Sequence, residues 1–148
     1  MSGTATVIRC PACGKANRVR PAAEGTPRCA ACHTQLPWLV EAREDTFDAE
    51  ITASVPVLVD FWAAWCPPCR MVAPVLERLA RARAGSLKVV KVDTEATPRI
   101  AERYAVRGLP SLVLLRDGAE VDRLAGAVPE PRLTAWLDGH LATADVRK

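Results

Sequence analysis

Two cysteines, Cys66 and Cys69, lie in the segment DFWAAWCPPCRMVAP at residues 60–74. Thiols separated by two residues could hold a metal, staple a loop or exchange a disulfide with another protein. A near-continuous apolar run precedes the pair and predicts a strand that is buried on both faces. From Pro67 to about Ala84 the apolar residues have helical spacing. The pair is therefore expected at the point where a strand ends and a helix begins.

The N-terminus of a helix stabilises a thiolate, because its N–H groups are unpaired and carry partial positive charge. We expect the sulfur of Cys66 to lie at the N-cap and to accept a hydrogen bond from the N–H of Cys69. Cys69, inside the first turn, is expected to be more shielded. Pro67 and Pro68 suit a first turn, where no N–H is needed. The pattern predicts an exposed attacking thiol and a recessed resolving thiol, as thiol–disulfide exchange requires.

Four more cysteines form two pairs of the same spacing near the start of the chain, Cys10/Cys13 and Cys29/Cys32, with fifteen residues between the pairs. This is the spacing of four-cysteine zinc sites, and we predict one bound Zn²⁺. So short a segment buries too little apolar surface to fold unaided, so the metal would supply folding energy. His33 is expected to be a bystander, because four thiolates complete a tetrahedron.

Length and composition favour a soluble protein of 148 residues with one main core and a small appendage. No secretory signal or membrane span is predicted, so a cytoplasmic location is expected. In a reducing compartment, six cysteines indicate metal binding or redox catalysis; two surface disulfides are the alternative for the first four. The first 37 residues carry five bases and one acid, which could favour acidic partners. The absence of interleaved aromatic residues argues against nucleic acid.

The remainder of the chain alternates strand-like and helix-like stretches. The order β-α-β-α-β-α-β-β-α predicts an α/β fold with a mixed central sheet and helices on both faces. Asp45 or Thr46 could cap a short helix through Ser54. The other predicted elements are buried strands from Pro56 and from Leu87, helices at 67–84, 97–106 and 129–141, and a hairpin turning at Asp117-Gly118. The predicted domains are a zinc ribbon at 1–37, an α/β domain at 38–142 and a flexible tail at 143–148.

The motif WCPPC after VLVDFWAA is similar to the active-site motif of the thioredoxin family, usually WCGPC. Pro74 matches the proline of the active-site helix, Pro110 in GLPSL matches the family's cis-proline, and Gly126 matches the glycine of the substrate groove. The resemblance covers about residues 38–142. With four cysteines ahead of it, the chain resembles the zinc-binding thioredoxin 2 subgroup. It implies a thioredoxin fold preceded by a small zinc ribbon.

The resemblance implies a protein-disulfide reductase. Cys66 would attack a disulfide of a substrate protein, and Cys69 would resolve the mixed disulfide. Asp60, in an apolar strand where ionisation is costly, would accept the proton of Cys69 through water, and Lys91 would tune Asp60. An NADPH-dependent flavoprotein, thioredoxin reductase, would recycle the protein, and no cofactor besides zinc is implied. Taken singly, Asp60 could face solvent at a strand end and Lys91 could be a plain surface base.

The resemblance also implies a substrate-binding surface. Trp65 would shape it beside the dithiol. Cis-Pro110 would leave the backbone of Leu109 free to pair with an extended substrate strand, and Gly126 would line the groove. By itself, Pro110 could equally be an ordinary loop proline.

Pro67 departs from the usual glycine, and milder departures are Leu109 and Ser111 in place of isoleucine and threonine. The residues between the two cysteines influence the redox poise, so a disulfide oxidase or isomerase is an alternative function. A second alternative makes the basic zinc ribbon the binding module, with the dithiol as its redox switch.

Overall fold

The computed structural model describes residues 5–21 and 25–146, the last five of these through their backbone alone. A two-stranded antiparallel hairpin comes first. Its strands are β1 (Thr6–Arg9) and β2 (Ala16–Val19), with Thr6 opposite Val19. An isolated antiparallel bridge between Arg28 and Gln35 follows. Residues 1–4 and 22–24 of the predicted ribbon lie outside the described residues.

A five-stranded sheet forms the centre of the molecule, in the order β3-β5-β4-β6-β7. Strands β3, β5 and β4 are parallel, whereas β6 and β7 are antiparallel to their neighbours. The sheet is therefore mixed, as predicted, and the hairpin turns at Asp117-Gly118. The strands are β3 (Trp38–Ala42), β4 (Val57–Trp62), β5 (Lys88–Asp93), β6 (Ser111–Arg116) and β7 (Ala119–Ala125).

Four helices within residues 5–21 and 25–146 cover the two faces of this sheet, which confirms the predicted layers. They are α1 (Phe47–Glu50), α2 (Pro67–Ala82), α3 (Pro98–Arg103) and α4 (Glu130–Val146). Leu76 and Leu133 pack α2 and α4 against one face. Phe47 and Ile100 pack α1 and α3 against the other. The alternation of side chains along each strand separates these two apolar clusters.

Three helix boundaries differ from the prediction. Helix α1 ends at Glu50 rather than near Ser54, and the Thr46 hydroxyl accepts a hydrogen bond from the Arg43 N–H instead of capping the helix. Helix α3, predicted at 97–106, starts at Pro98 and already ends at Arg103. Helix α4 continues to Val146, into the predicted tail, of which residues 147 and 148 lie outside the described residues. Within the described chain, no helix combines the length and apolar character needed to cross a membrane.

The N-terminal hairpin packs onto the main sheet instead of standing apart. Ile8, Val19 and Leu36 belong to the same apolar cluster as Trp38. Below them Lys88, the first residue of β5, has no exposed side-chain surface. Its Nζ lies 2.8 Å from a carboxylate oxygen of Glu50 on α1 and 3.0 Å from the carbonyl oxygen of Pro21. The ammonium also lies 4.4 Å from the ring centroid of Trp38.

Candidate active site and metal centre

The dithiol occupies the predicted position at the start of α2. Cys66 is the N-cap, with extended backbone at φ −100° and ψ 103°. It forms a disulfide with Cys69, and the two Cα atoms are 5.3 Å apart, within the usual range for disulfides. The Cys69 N–H donates to the Cys66 Sγ at 3.2 Å. This hydrogen bond confirms the predicted cap, and Pro67 and Pro68 fill the first turn without adding donors.

The two cysteines are equally buried in this oxidised state, each 3% exposed. The predicted difference between an exposed and a recessed thiol is therefore absent here. The reason is local packing: Trp62 and Leu109 lie against the cluster that Cys66, Cys69 and Ala63 form. A thiolate can therefore reach the sulfur of Cys66 or Cys69 only from the side that Trp62 and Leu109 leave open.

Asp60 lies in the middle of β4 and is only 1% exposed, so the solvent-facing alternative is excluded. Its Oδ1 has no hydrogen-bond partner among the described residues. Burial raises the pKa of Asp60 to about 7, and the positive charge of Lys91 opposes that rise. Lys91 is the register partner of Asp60 on β5. The structure thus places the two predicted residues side by side, with Asp60 able to exchange a proton near neutral pH.

Glu41 is a titratable neighbour that the sequence analysis missed. It lies on β3 as the register partner of Lys91, on the side opposite Asp60. The indole N–H of Trp62 donates to its carboxylate at 3.0 Å. Burial raises the pKa of Glu41. Only the strand order could have revealed this neighbour, since β3 and β5 are far apart in the sequence.

Large apolar side chains are exposed beside the dithiol. Trp65, predicted to shape the docking surface, is 65% exposed, and its indole N–H donates to Glu95 at 3.2 Å. Met71, on α2, is 70% exposed and was not predicted. The sequence did contain a signal for it, because Met71 is an apolar residue at a position of α2 that points away from the core. Exposed apolar surface next to a reactive group is typical of a protein-binding site.

The predicted groove residues meet on the other side of the dithiol. The peptide bond between Leu109 and Pro110 is cis, as the resemblance implied. Gly126 donates its N–H to the Pro110 carbonyl at 2.8 Å. Its φ of 87° is in the left-handed region, which favours glycine. Leu109 contacts the cysteine cluster directly, so these three residues are continuous with the disulfide.

The four N-terminal cysteines come together as predicted. Their Sγ atoms all lie within 4.8 Å of one another, with Cys10 and Cys32 3.6 Å apart and Cys13 and Cys29 3.5 Å apart. Four thiolates about 2.3 Å from a tetrahedral Zn²⁺ would be about 3.8 Å from each other. The donor set therefore fits one zinc ion. The N–H groups of Cys32 and Ala31 lower the pKa of the Cys29 thiol, whereas hydrogen bonds with the neighbouring sulfurs help to raise the pKa of the Cys13 thiol.

Both cysteine pairs adopt the same turn. Gly14 donates to the Cys10 carbonyl and His33 donates to the Cys29 carbonyl, each at 2.8 Å. Both have positive φ, at 83° and 67°. His33 thus occupies in the second turn the place that Gly14 has in the first, and it is not among the clustered ligand atoms.

The ribbon also carries a cavity of about 510 Å³, separate from the dithiol. Its lining includes four basic side chains, Lys15, Arg18, Arg20 and Arg28. Most of the basic residues of the N-terminal segment therefore lie around one concave surface.

Comparison with known proteins agrees with this site. The thioredoxin family model matches residues 38–139. Thioredoxin 1 of Nostoc sp. is 47% identical over 68% of this chain and 95% of its own length. Thioredoxin 1 of Synechococcus elongatus is 50% identical over 65% and 91%. Thioredoxin C-3 of Corynebacterium nephridii is 40% identical over 91% of this chain and 95% of its own, so that likeness extends into the N-terminal segment. The chain belongs to the thioredoxin family of thiol–disulfide oxidoreductases, with Cys66 and Cys69 as its redox-active pair.

Proposed function

We propose that the protein reduces disulfides in other proteins by a two-step exchange through Cys66 and Cys69. The observation that carries this proposal is the disulfide at the N-terminus of α2, where the Cys69 N–H donates to the Cys66 sulfur. In the reduced protein the same N–H and the helix N-terminus would stabilise a thiolate at Cys66. Cys66 is therefore the attacking residue.

In the first step the Cys66 thiolate attacks one sulfur of the substrate disulfide. A mixed disulfide forms between Cys66 and the substrate, and the other substrate sulfur leaves as a thiolate. In the second step the Cys69 thiolate attacks the Cys66 sulfur, the mixed disulfide breaks, and the second substrate sulfur leaves as a thiolate. Two electrons pass to the substrate, and the protein is left with the Cys66–Cys69 disulfide seen in this structure.

The second step needs a base, because Cys69 attacks as a thiolate. Asp60 is the candidate acceptor of its proton, reached through water as in the family. Its pKa of about 7 supports this role, since it can hold or release a proton near neutral pH. Lys91 is the neighbouring positive charge that keeps the pKa from rising further.

Substrate proteins would bind over the surface that surrounds the disulfide. Trp65 supplies exposed apolar area. Leu109, Pro110 and Gly126 form the opposite side, where an extended substrate segment would pair with the backbone of Leu109. Thioredoxin reductase, drawing on NADPH, is the proposed partner that returns the disulfide to the dithiol.

The N-terminal cysteines are proposed to hold one Zn²⁺ that stabilises the ribbon. Cys10, Cys13, Cys29 and Cys32 would be its ligands, and the metal would supply folding energy. Thiolates of this kind persist in a reducing compartment. We therefore propose a cytoplasmic location.

Variants of the two active-site cysteines test the proposal in a reductase-coupled insulin reduction assay. Cys66→Ser should abolish turnover, and Cys69→Ser should accumulate covalent complexes with substrate because the mixed disulfide cannot be resolved. Ala64→Ser adds a hydroxyl beside the site and should leave turnover unchanged. Full activity of Cys66→Ser would refute the assignment of the nucleophile. A reduction potential well above that of thioredoxins would favour the oxidase or isomerase alternative.

A second function, binding of a polyanion by the ribbon, is favoured by the cavity lined with four basic side chains. Contacts between such side chains and phosphates weaken with salt. A gel shift with generic DNA or RNA at two salt concentrations separates this function from the reductase, since disulfide reduction needs no such contact.

A further inference from the structure

Three charged side chains form one row across three neighbouring strands. Glu41 on β3 is opposite Lys91 on β5, and Lys91 is opposite Asp60 on β4. Two positions earlier in each strand, Leu39, Val89 and Leu58 pack in the apolar cluster beneath α2. Residues two apart share a face of a strand. The row therefore lies on the α2 face, the face on which the dithiol is placed.

Trp62 connects the members of this row. It shares the face with Asp60, two residues earlier in β4. Its indole N–H donates to Glu41 at 3.0 Å, and the Lys91 Nζ lies 5.1 Å from its ring centroid. The ring thus orients one carboxylate and holds the ammonium between the two acids.

We propose that Glu41 is a positioning residue for the exchange reaction: through Trp62 and Lys91 it divides the attraction of one ammonium between two carboxyls, its own and that of Asp60. This inference rests on the role proposed above for Asp60. Glu41 touches neither sulfur; it acts through its negative charge and through its hydrogen bond with the Trp62 indole.

The other described groups near this row add no further charge that acts on Asp60. On β5, Asp93 adds a negative charge that acts on Glu41. On β6 the register partner of Asp60 is Leu112, which carries no charge. At the start of α2, Cys66 and Cys69 are joined in the disulfide and do not titrate. In the oxidised protein, the described charges acting on Asp60 are therefore Lys91 and Glu41.

The directions of the pKa shifts agree with the geometry. Burial raises the pKa of Asp60, Lys91 lowers it, and Glu41 raises it. For Glu41, burial raises the pKa, whereas the Trp62 hydrogen bond and then Lys91 lower it. Each carboxyl therefore responds to the same ammonium, and Asp60 responds to Glu41 as well.

The variant Glu41→Gln tests the inference, because glutamine keeps an acceptor for the Trp62 indole and removes the charge. We expect the midpoint of the Asp60 titration to fall by about 0.3 to 0.5 pH units, for a charge about two strand spacings away and partly screened by solvent. The measurement is the carboxyl ¹³C shift of Asp60 by NMR in the full-length oxidised protein. Glu102→Gln, an equal charge change on α3 across the sheet, should leave that midpoint unchanged.

If the midpoint of the Asp60 titration were the same in wild type and Glu41→Gln, the inference would be overturned. It would also be overturned if Glu102→Gln lowered that midpoint as much as Glu41→Gln does. This titration can be measured whether or not the chain reduces disulfides, so failure of the proposed function would be seen separately in the insulin assay. If the reductase function and the role of Glu41 both hold, the pH profile of mixed-disulfide resolution should move to lower pH by the same amount in Glu41→Gln. Glu41→Asp should restore the wild-type profile in part.

Discussion

Asp60 illustrates how a strand can change the chemistry of one carboxyl group. The apolar side chains around it remove water, which raises its pKa, and a single lysine one strand away only partly compensates. A rise from 3.8 to about 7 corresponds to about 4 kcal/mol between the two protonation states. Such a group costs stability when it ionises, and that cost is accepted at a site where a proton has to move.

Stability should therefore depend on pH through Asp60. Between about pH 4 and pH 7 the folded protein holds a proton that the unfolded chain has lost, so the free energy of unfolding falls as pH rises through this window. Asp60→Asn should remove most of that fall and be more stable than wild type at pH 8 by roughly 2 to 4 kcal/mol. Urea unfolding of the oxidised protein at pH 5 and pH 8 measures both effects.

Asp117→Asn provides the control for this comparison. It makes the same charge change at the turn of the β6–β7 hairpin, where φ is 52° and asparagine is tolerated. Its pH dependence should equal that of wild type. If the free energy of unfolding changed with pH equally in wild type and Asp60→Asn, Asp60 would not titrate between pH 5 and pH 8.

The sequence predicted residues whose surroundings are local. Cys66 could be placed at the N-cap because the strand and helix next to it are adjacent in the chain, and Asp60 was predicted to be buried by its own apolar flanks. Glu41 could not be predicted, because its neighbours come from β5 and β4 and only strand register brings them together. The equal burial of Cys66 and Cys69 was also missed, since it depends on Leu109 from a distant loop.

At the scale of elements, the ribbon depends on its two cysteine turns. Strands β1 and β2 have four residues each and, among the described strands, pair only with each other. A hairpin of this kind is marginally stable in water. Cys10 and Cys29 are buried beneath it, whereas Cys13 and Cys32 are exposed. A metal at these sulfurs would join the hairpin to the second cysteine turn, to which no strand pairing between described residues connects it.

Purified reduced protein should contain one zinc ion per chain, and its removal should loosen the ribbon far more than the centre of the main sheet. After chelation we expect the amides of β1 and β2 to exchange with deuterium much faster, while those of β4 and β6 keep their protection. Hydrogen-exchange mass spectrometry makes the measurement. Cys10→Ser should reproduce the effect without a chelator, because it removes one buried ligand.

Unchanged exchange in the ribbon strands after the metal has been removed would contradict a structural role for zinc. The control is Ser86→Ala, which lies outside the ribbon and should retain both the metal and the protection of β1 and β2.

Element types were predicted better than element ends. Apolar runs identified β4 and β5, the Asp117-Gly118 turn identified the β6–β7 hairpin, and apolar residues at helical spacing identified α2 and α4. The short helices α1 and α3 were overestimated, since a few residues of helical period do not show where tertiary contacts stop.

At the scale of the molecule, the ribbon and the α/β domain share one interior. Lys88 is the clearest sign, because its ammonium has no exposed surface and takes acceptors from both parts, Glu50 on α1 and the Pro21 carbonyl of the ribbon. A buried cation is tolerated only where it is paired and hydrogen-bonded. Nothing in the sequence distinguished Lys88 from the other lysines, since the group that covers it lies far away in the chain.

Lys88→Ala should destabilise the protein by about 3 to 5 kcal/mol, because it leaves the Glu50 carboxylate buried without its partner. Arg78→Ala is the matched comparison: it breaks an ion pair with Glu130 in which both side chains are exposed, and should cost less than about 1 kcal/mol. Thermal or denaturant unfolding of the full-length protein measures both. Equal losses in the two variants would mean that the Lys88 pair is not buried in solution.

Lys88 also limits how this protein could be rebuilt from parts. Relatives such as thioredoxin 1 of Nostoc sp. match it over 95% of their own length within about 102 residues, so the α/β domain can exist in nature without a ribbon. In this chain, however, cutting before Trp38 would remove the Pro21 carbonyl that accepts from the Lys88 ammonium and uncover apolar side chains that pack against Ile8, Val19 and Leu36. A ribbon grafted onto such a relative would therefore need a lysine at the position of Lys88 and a carboxylate at that of Glu50, so that its Pro21 carbonyl meets a paired cation.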